Sequence, residues 1–100
     1  MPAQIDIDRE QIAEFCKRNQ IRKLSLFGSV LSDRFGPDSD VDFLVEFEPD
    51  AKIGYFAIGR ISEELADLIG RPVDLRTEQG ISRYFRDEVI EQAEPIYAAA

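Results

Sequence analysis

The sequence has no histidine, no tryptophan and one cysteine, and no apolar run approaches the ~20 residues that a membrane-spanning helix needs. Each absence removes a class of function. Without imidazole there is no Ser-His-Asp relay and no histidine-bearing zinc site. A lone Cys16 cannot close an internal disulfide, which fits a reducing compartment. Any metal must be held by oxygen, which favours magnesium, calcium or manganese. Basic residues are scarce as well: 12 Lys and Arg stand against 20 Asp and Glu, a formal net charge of −8. No basic run is present to neutralise a phosphate backbone, so direct polynucleotide binding is not expected. A protein partner, by contrast, would present a basic face to this surface. The N-terminus has no basic-then-apolar signal pattern, and the expected location is the cytoplasm.

The residues that are present read as one domain over 1–100, with 44% hydrophobic and 32% charged side chains and enough length for a modest core. Asp6 or Asp8 can cap a first helix running to about Arg18, with Ile12, Phe15 and Cys16 on one face. Ile21–Phe27 reads as a strand, after which Gly28-Ser29 turns into a short helix or turn ("SVLSDRF"), and "GPDS" is a breaker cluster. Val41–Phe47 is the clearest strand. A longer helix follows from Tyr55 to Ile69, stopped by Gly70 and Pro72. Val73–Thr77 is a third strand, and a last helix is expected from about Ser82 to Gln92 with Ile81, Phe85 and Val89 at intervals of four. Phe27, Phe43, Phe47 and Phe56 are expected in the core. The order predicts an α+β fold, a small mixed sheet of three or four strands with flanking helices.

Three carboxylates stand out against this pattern, because a buried strand avoids unpaired charge. Asp40 and Asp42 flank Val41 at the start of the second strand, and side chains two apart on a strand point the same way, ~6.5–7 Å apart. That separation suits shared divalent cations, since paired catalytic metals sit ~3.5–4 Å apart. Asp74 stands between Val73 and Leu75 in the third strand. If that strand lies beside the second, Asp74 makes a third corner, and three converging carboxylates call for a compensating cation. Gly28-Ser29 precedes Asp40 by ten intervening residues. A glycine there lets a ligand approach the backbone, and a serine hydroxyl with free N–H groups at a helix start suits a phosphate.

The stretch "LFGSVLSDRFGPDSDVDFLVEF", Leu26 to Phe47, resembles the core motif of the polymerase-beta-like nucleotidyltransferase superfamily, a G-S pair followed by a spaced D-x-D. With the short length and the later "RPVDLRT", the sequence looks closest to the minimal nucleotidyltransferases (MNT). The resemblance implies two magnesium ions held by Asp40, Asp42 and Asp74, with Gly28 and Ser29 holding the nucleoside triphosphate. It implies in-line attack of a hydroxyl on the α-phosphorus of Mg-ATP with pyrophosphate leaving, and Asp74 as the group best placed to take the nucleophile's proton. Members of this kind are similar to antitoxins that move AMP from ATP to a tyrosine of a HEPN-type toxin, so a hetero-oligomer with such a toxin is expected. The sequence departs from the family in one respect: Arg34 is the only arginine in the ten residues after Ser29. The main readings that stay open are a catalytic adenylyltransferase antitoxin and a catalytically weak or inactive antitoxin that neutralises its partner by binding alone; a transferase acting on a small molecule or an RNA end, and an acidic domain with coincidental spacing, are the lesser ones.

Overall fold

The computed structural model describes residues 8–28 and 40–99. Ser29, Arg34, the "SVLSDRF" turn, the "GPDS" breaker and the alternative cap Asp6 lie outside them. Helix α1 (Arg9–Arg18) begins where Asp8, in extended backbone, accepts from the amides of Glu10 and Gln11 at 3.1 and 3.2 Å. These bonds satisfy donors that a helix start leaves unpaired. Gln20, with φ 58°, turns the chain into strand β1 (Ile21–Phe27). Strand β2 (Val41–Phe47) pairs antiparallel with β1, and helix α2 (Tyr55–Ile69) then carries the chain to strand β3 (Val73–Arg76). Gly70 ends α2 in the left-handed conformation and donates to the Ala66 carbonyl at 2.8 Å. Because an α-helical crossover joins them, β2 and β3 run parallel, the ladder opening where the Val41 amide donates to the Pro72 carbonyl at 2.9 Å. A helix α3 (Arg86–Gln92) and strand β4 (Glu94–Ala98) complete the chain, β4 lying antiparallel on the far side of β1. The sheet order is β3-β2-β1-β4, so the fold is the expected α+β mixed sheet, with four strands and, among the described residues, three α-helices.

Alternation along the strands decides what each sheet face does. Leu24 and Leu26 of β1, Val41, Phe43 and Val45 of β2, and Ile96 of β4 turn to one side, where they meet Ile12, Phe15 and Cys16 of α1 and Ile61 and Leu65 of α2. Helix α1 packs on the β1–β4 half and α2 against β3. The helices are also tied to each other: Arg18 pairs with Glu64 at 2.7 Å, and the buried Asn19 amide bridges the Phe15 carbonyl and Glu64. Cys16 is fully buried, as expected of a core thiol, and burial pushes its pKa up to about 12.

Three expectations need correction. The last helix starts at Arg86 rather than Ser82. Thr77 caps a 3-10 turn (Glu78–Gly80), Ile81 is buried in extended backbone, and a turn closes from the Phe85 amide to the Ser82 carbonyl at 2.9 Å. The four-residue spacing of Ile81, Phe85 and Val89 therefore does not make one helical face, and Phe85 is exposed. Phe56 is 91% exposed instead of buried. At 3.6 residues per turn it falls roughly opposite the arc of Ile61, Leu65, Leu68 and Ile69 that meets the core. Phe43 is buried and Phe47 packs at the core's margin, but Phe27 is only half-buried and, as the partner of Asp42 in the ladder, lies on the other face of the sheet.

Candidate active site

The sheet face turned away from α1 and α2 carries the charged residues. Its spine is Asp42 on β2, a strand with neighbours on both sides. The parallel register sets Asp42 directly across from Asp74 of β3, and the antiparallel register sets it across from Phe27 of β1. Adjacent strands lie ~4.8 Å apart, so Asp42 and Asp74 are side-by-side carboxylates on one face. Asp40 stands on the same face one strand step earlier, exposed at the threshold of β2. The structure thus brings Asp42 and Asp74 together as ladder partners, with Asp40 near enough to act on Asp42.

Gly28 completes the approach from the β1 side. Its φ of 78° is a conformation that L side chains resist, and a β-carbon added there would overlap the Asp42 carboxylate. The antiparallel pairing of β1 with β2 therefore explains how Gly28 and Asp42, separated in sequence, meet in space: Gly28 directly follows Phe27, which pairs with Asp42.

The electrostatics follow from this crowding. Burial pushes the Asp42 carboxyl above its ordinary value, the neighbouring Asp74 raises it further, Arg76 pulls it back, and Asp40 adds a smaller push upward. Arg76 is the residue that sequence reasoning missed. It lies two residues beyond Asp74, hence on the same face, and its Nε donates to Asp74 Oδ2 at 3.0 Å. The signal was present in "VDLR", where the period of a strand puts the acid and the arginine on one side.

Oxygen donors on one face, a glycine that clears space beside the most buried of them, and mutual repulsion that a cation would relieve together fit a hard divalent ion. The donors are not preassembled, however. Among the described residues no three acidic or thiol side chains converge as a ready cage, and Asp74 is engaged by Arg76. A cleft of about 340 Å³ opens at the edge of the sheet beside Asp74, floored by Val73 and Leu75 and walled by Ile58, Gly59 and Ser62 of α2. The Ser62 hydroxyl donates to the Val73 carbonyl at 3.3 Å and fixes that wall. A smaller cavity of about 70 Å³ lies farther along the charged face, between Ser25, Leu44 and Ile90, and touches none of the three acids.

A model of the nucleotidyltransferase domain matches residues 9–96. A Methanocaldococcus jannaschii protein, named provisionally as a protein adenylyltransferase, is 26% identical over 85 residues, 85% of this chain and 89% of its own. A solved structure assigned provisionally as a minimal nucleotidyltransferase is 32% identical, covers 87% of each chain and superposes with a TM-score of 0.71. A crystal structure of a toxin-antitoxin with AMP-PNP superposes with a TM-score of 0.73 at 20% identity, over 93% of this chain and 75% of that one. The MNT antitoxin complexed with tri-AMPylated Shewanella oneidensis HEPN toxin is similar in fold, with a TM-score of 0.65 at 20% identity over 91% and 70% of the two chains. With the motif, the sheet order and the matched span in agreement, the chain belongs to the nucleotidyltransferase family, among its minimal members.

Proposed function

We propose that this protein is a cytoplasmic antitoxin that transfers AMP from Mg-ATP to a tyrosyl hydroxyl of a partner toxin of the HEPN type. The observation that carries the reading is the register that sets Asp42 across from Asp74, with Gly28 closed against Asp42 from the other side. Asp40, Asp42 and Asp74 would hold magnesium, which when bound neutralises the triphosphate and lowers the barrier at its α-phosphorus. Gly28 and Ser29 would receive the phosphates. In the reaction the partner's hydroxyl oxygen forms a bond to the α-phosphorus, the bond from that phosphorus to the bridging oxygen breaks, and pyrophosphate leaves with the electron pair. The hydroxyl proton passes to Asp74 or to solvent. Such a step draws mainly on positioning and charge stabilisation, which suits a small chain.

The acceptor on this reading arrives on another chain, and the −8 charge favours a basic one. Support comes from the solved complexes similar in fold, one holding AMP-PNP and one a tri-AMPylated toxin, and from the Methanocaldococcus relative. The engagement of Asp74 by Arg76, and a single arginine, Arg34, in the ten residues after Ser29, favour the second reading, an antitoxin acting by binding alone. Intact-mass spectrometry of the partner after incubation with this protein, magnesium and ATP separates the two. A gain of one or more AMP units, lost with Asp40→Asn/Asp42→Asn, supports transfer. A silenced partner in complex with no mass gain supports binding alone.

A further inference from the structure

We propose that Arg76 guards the acidic site in the metal-free protein and is handed from Asp74 to the triphosphate when a divalent cation enters. The inference rests on the reading of this face as a nucleotidyl-transfer site, and adds a source of positive charge beyond Arg34, the one arginine in the ten residues after Ser29. Asp42 and Asp74 stand side by side on one sheet face, and Arg76, two residues beyond Asp74 on the same strand and face, donates to it at 3.0 Å. Folding without metal thus leaves the face partly neutralised by a side chain of its own strand.

The pair is built to open. The Arg76 side chain is 50% exposed and that of Asp74 39%, and ion pairs in such settings are worth little net free energy, so breaking one costs little. The bond is a single contact through Nε, which leaves the outer nitrogens of the guanidinium fork for another anion. A cation that takes the Asp74 oxygens frees the whole fork next to the place where the triphosphate would lie. A guanidinium binds phosphate oxygens in a planar, two-pronged manner that lysine does not match. The absence of a preassembled cage among the described residues agrees with this order of events, because the third acid is turned to Arg76 until something displaces it.

The test compares wild type, Arg76→Gln and Arg76→Lys by two affinities: Mn²⁺ alone, followed by electron paramagnetic resonance of the free ion, and the α,β-methylene analogue of ATP in the presence of Mn²⁺. Arg76→Gln removes a competitor, so Mn²⁺ alone should bind about 3- to 10-fold more tightly. The same variant loses a phosphate ligand, so the analogue should bind about 10- to 100-fold more weakly. Arg76→Lys should stay near wild type for the metal and fall between the other two for the nucleotide. Changes of opposite sign are the signature, since a purely structural role would move both affinities the same way or neither. Metal affinity that is unchanged or weakened in Arg76→Gln overturns the guarding role, and unchanged nucleotide affinity overturns the handover. Failure of wild type to bind Mn²⁺ even with the analogue sinks the metal reading of the site itself, a result distinct from either.

Discussion

Replacing Gly28 by alanine should separate what this residue does for stability from what it does for the site. The backbone contribution comes from φ 78°, where a β-carbon costs ~1–2 kcal/mol. The second contribution is local: the new methyl would overlap Asp42 Oδ2 and stand 3.3 Å from Asp42 Cγ. A carboxylate end can rotate away, so this contact adds little to the stability loss but moves Asp42 off its bearing. Thermal unfolding should therefore drop by roughly 5–15 °C, the shift that 1–2 kcal/mol produces in a domain of this size. Nucleotidyl transfer should fall by ~100-fold or more, because misplacement of a reacting group by an ångström costs about that much. The two effects part company in a double-mutant cycle for stability and Mn²⁺ affinity. In an Asp42→Ala background the nearest remaining contact is Asp42 Cβ, at an ordinary 3.5 Å. The backbone penalty should persist there, while Gly28→Ala should no longer affect residual metal binding. If Gly28→Ala lowers stability yet leaves metal affinity and transfer untouched when Asp42 is present, the link between Gly28 and Asp42 is refuted.

Asp42→Asn should abolish transfer yet stabilise the metal-free protein. Because the folded-state carboxyl titrates above its ordinary value, the wild-type residue favours folding while protonated, and that advantage is lost as pH rises through the raised value. Melting curves should show the variant ahead near neutral pH by about 0.5–1 kcal/mol, the scale of partly exposed charge interactions, with the gap closing on acidification and reversing when Mg²⁺ is added to wild type. Glu64→Gln should cost about 0.5 kcal/mol at neutral pH. Arg18 and Asn19 hold the Glu64 carboxyl below its ordinary value, so denaturant titrations should show the deficit vanish as pH falls through that lowered value. Cys16, fully buried, should resist thiol reagents in the native protein and react only on unfolding, as a colorimetric thiol assay in and out of denaturant would reveal. Phe15→Ala, emptying a fully buried site under the sheet, should cost about 3–5 kcal/mol by chemical denaturation.

Where backbone chemistry punctuates the sequence, the elements are legible. Asp8, Gln20, Gly28 and Gly70-Pro72 mark the boundaries of α1, β1 and α2 that the structure displays, because caps and breakers act locally. The region after β3 carries only Thr77 and Gly80, which mark a 3-10 turn and not the start of α3. There the apolar spacing of Ile81, Phe85 and Val89 mimics a helix, while Thr77 binds the Gly80 amide and Arg86 donates to the Ile81 carbonyl at 3.2 Å, contacts that no periodicity announces. Phe56 shows the opposite error: hydrophobicity alone suggested burial, although the helical period of its own neighbours turns it outward. For the site, the acids were readable as a set, but their assembly depended on a parallel register between β2 and β3 that arises from tertiary packing. Arg76 was within reach of the same alternation that grouped Asp40 with Asp42, once Asp74 was placed on a strand.

The last strand has a bearing on when this protein can begin to act during its synthesis. β4 is the outer neighbour of β1, the strand that delivers Gly28 to the acids, and Ile96 sits in the core beneath it. A nascent chain in which Glu94–Ala98 is still inside the ribosome leaves β1 as an open edge, with Leu24 and Leu26 lacking the cover of Ile96. Contacts so distant in sequence form late. The face that carries Asp42 and Asp74 therefore becomes firm only once Glu94–Ala98 has left the ribosome and paired with β1, the strand that supports Gly28.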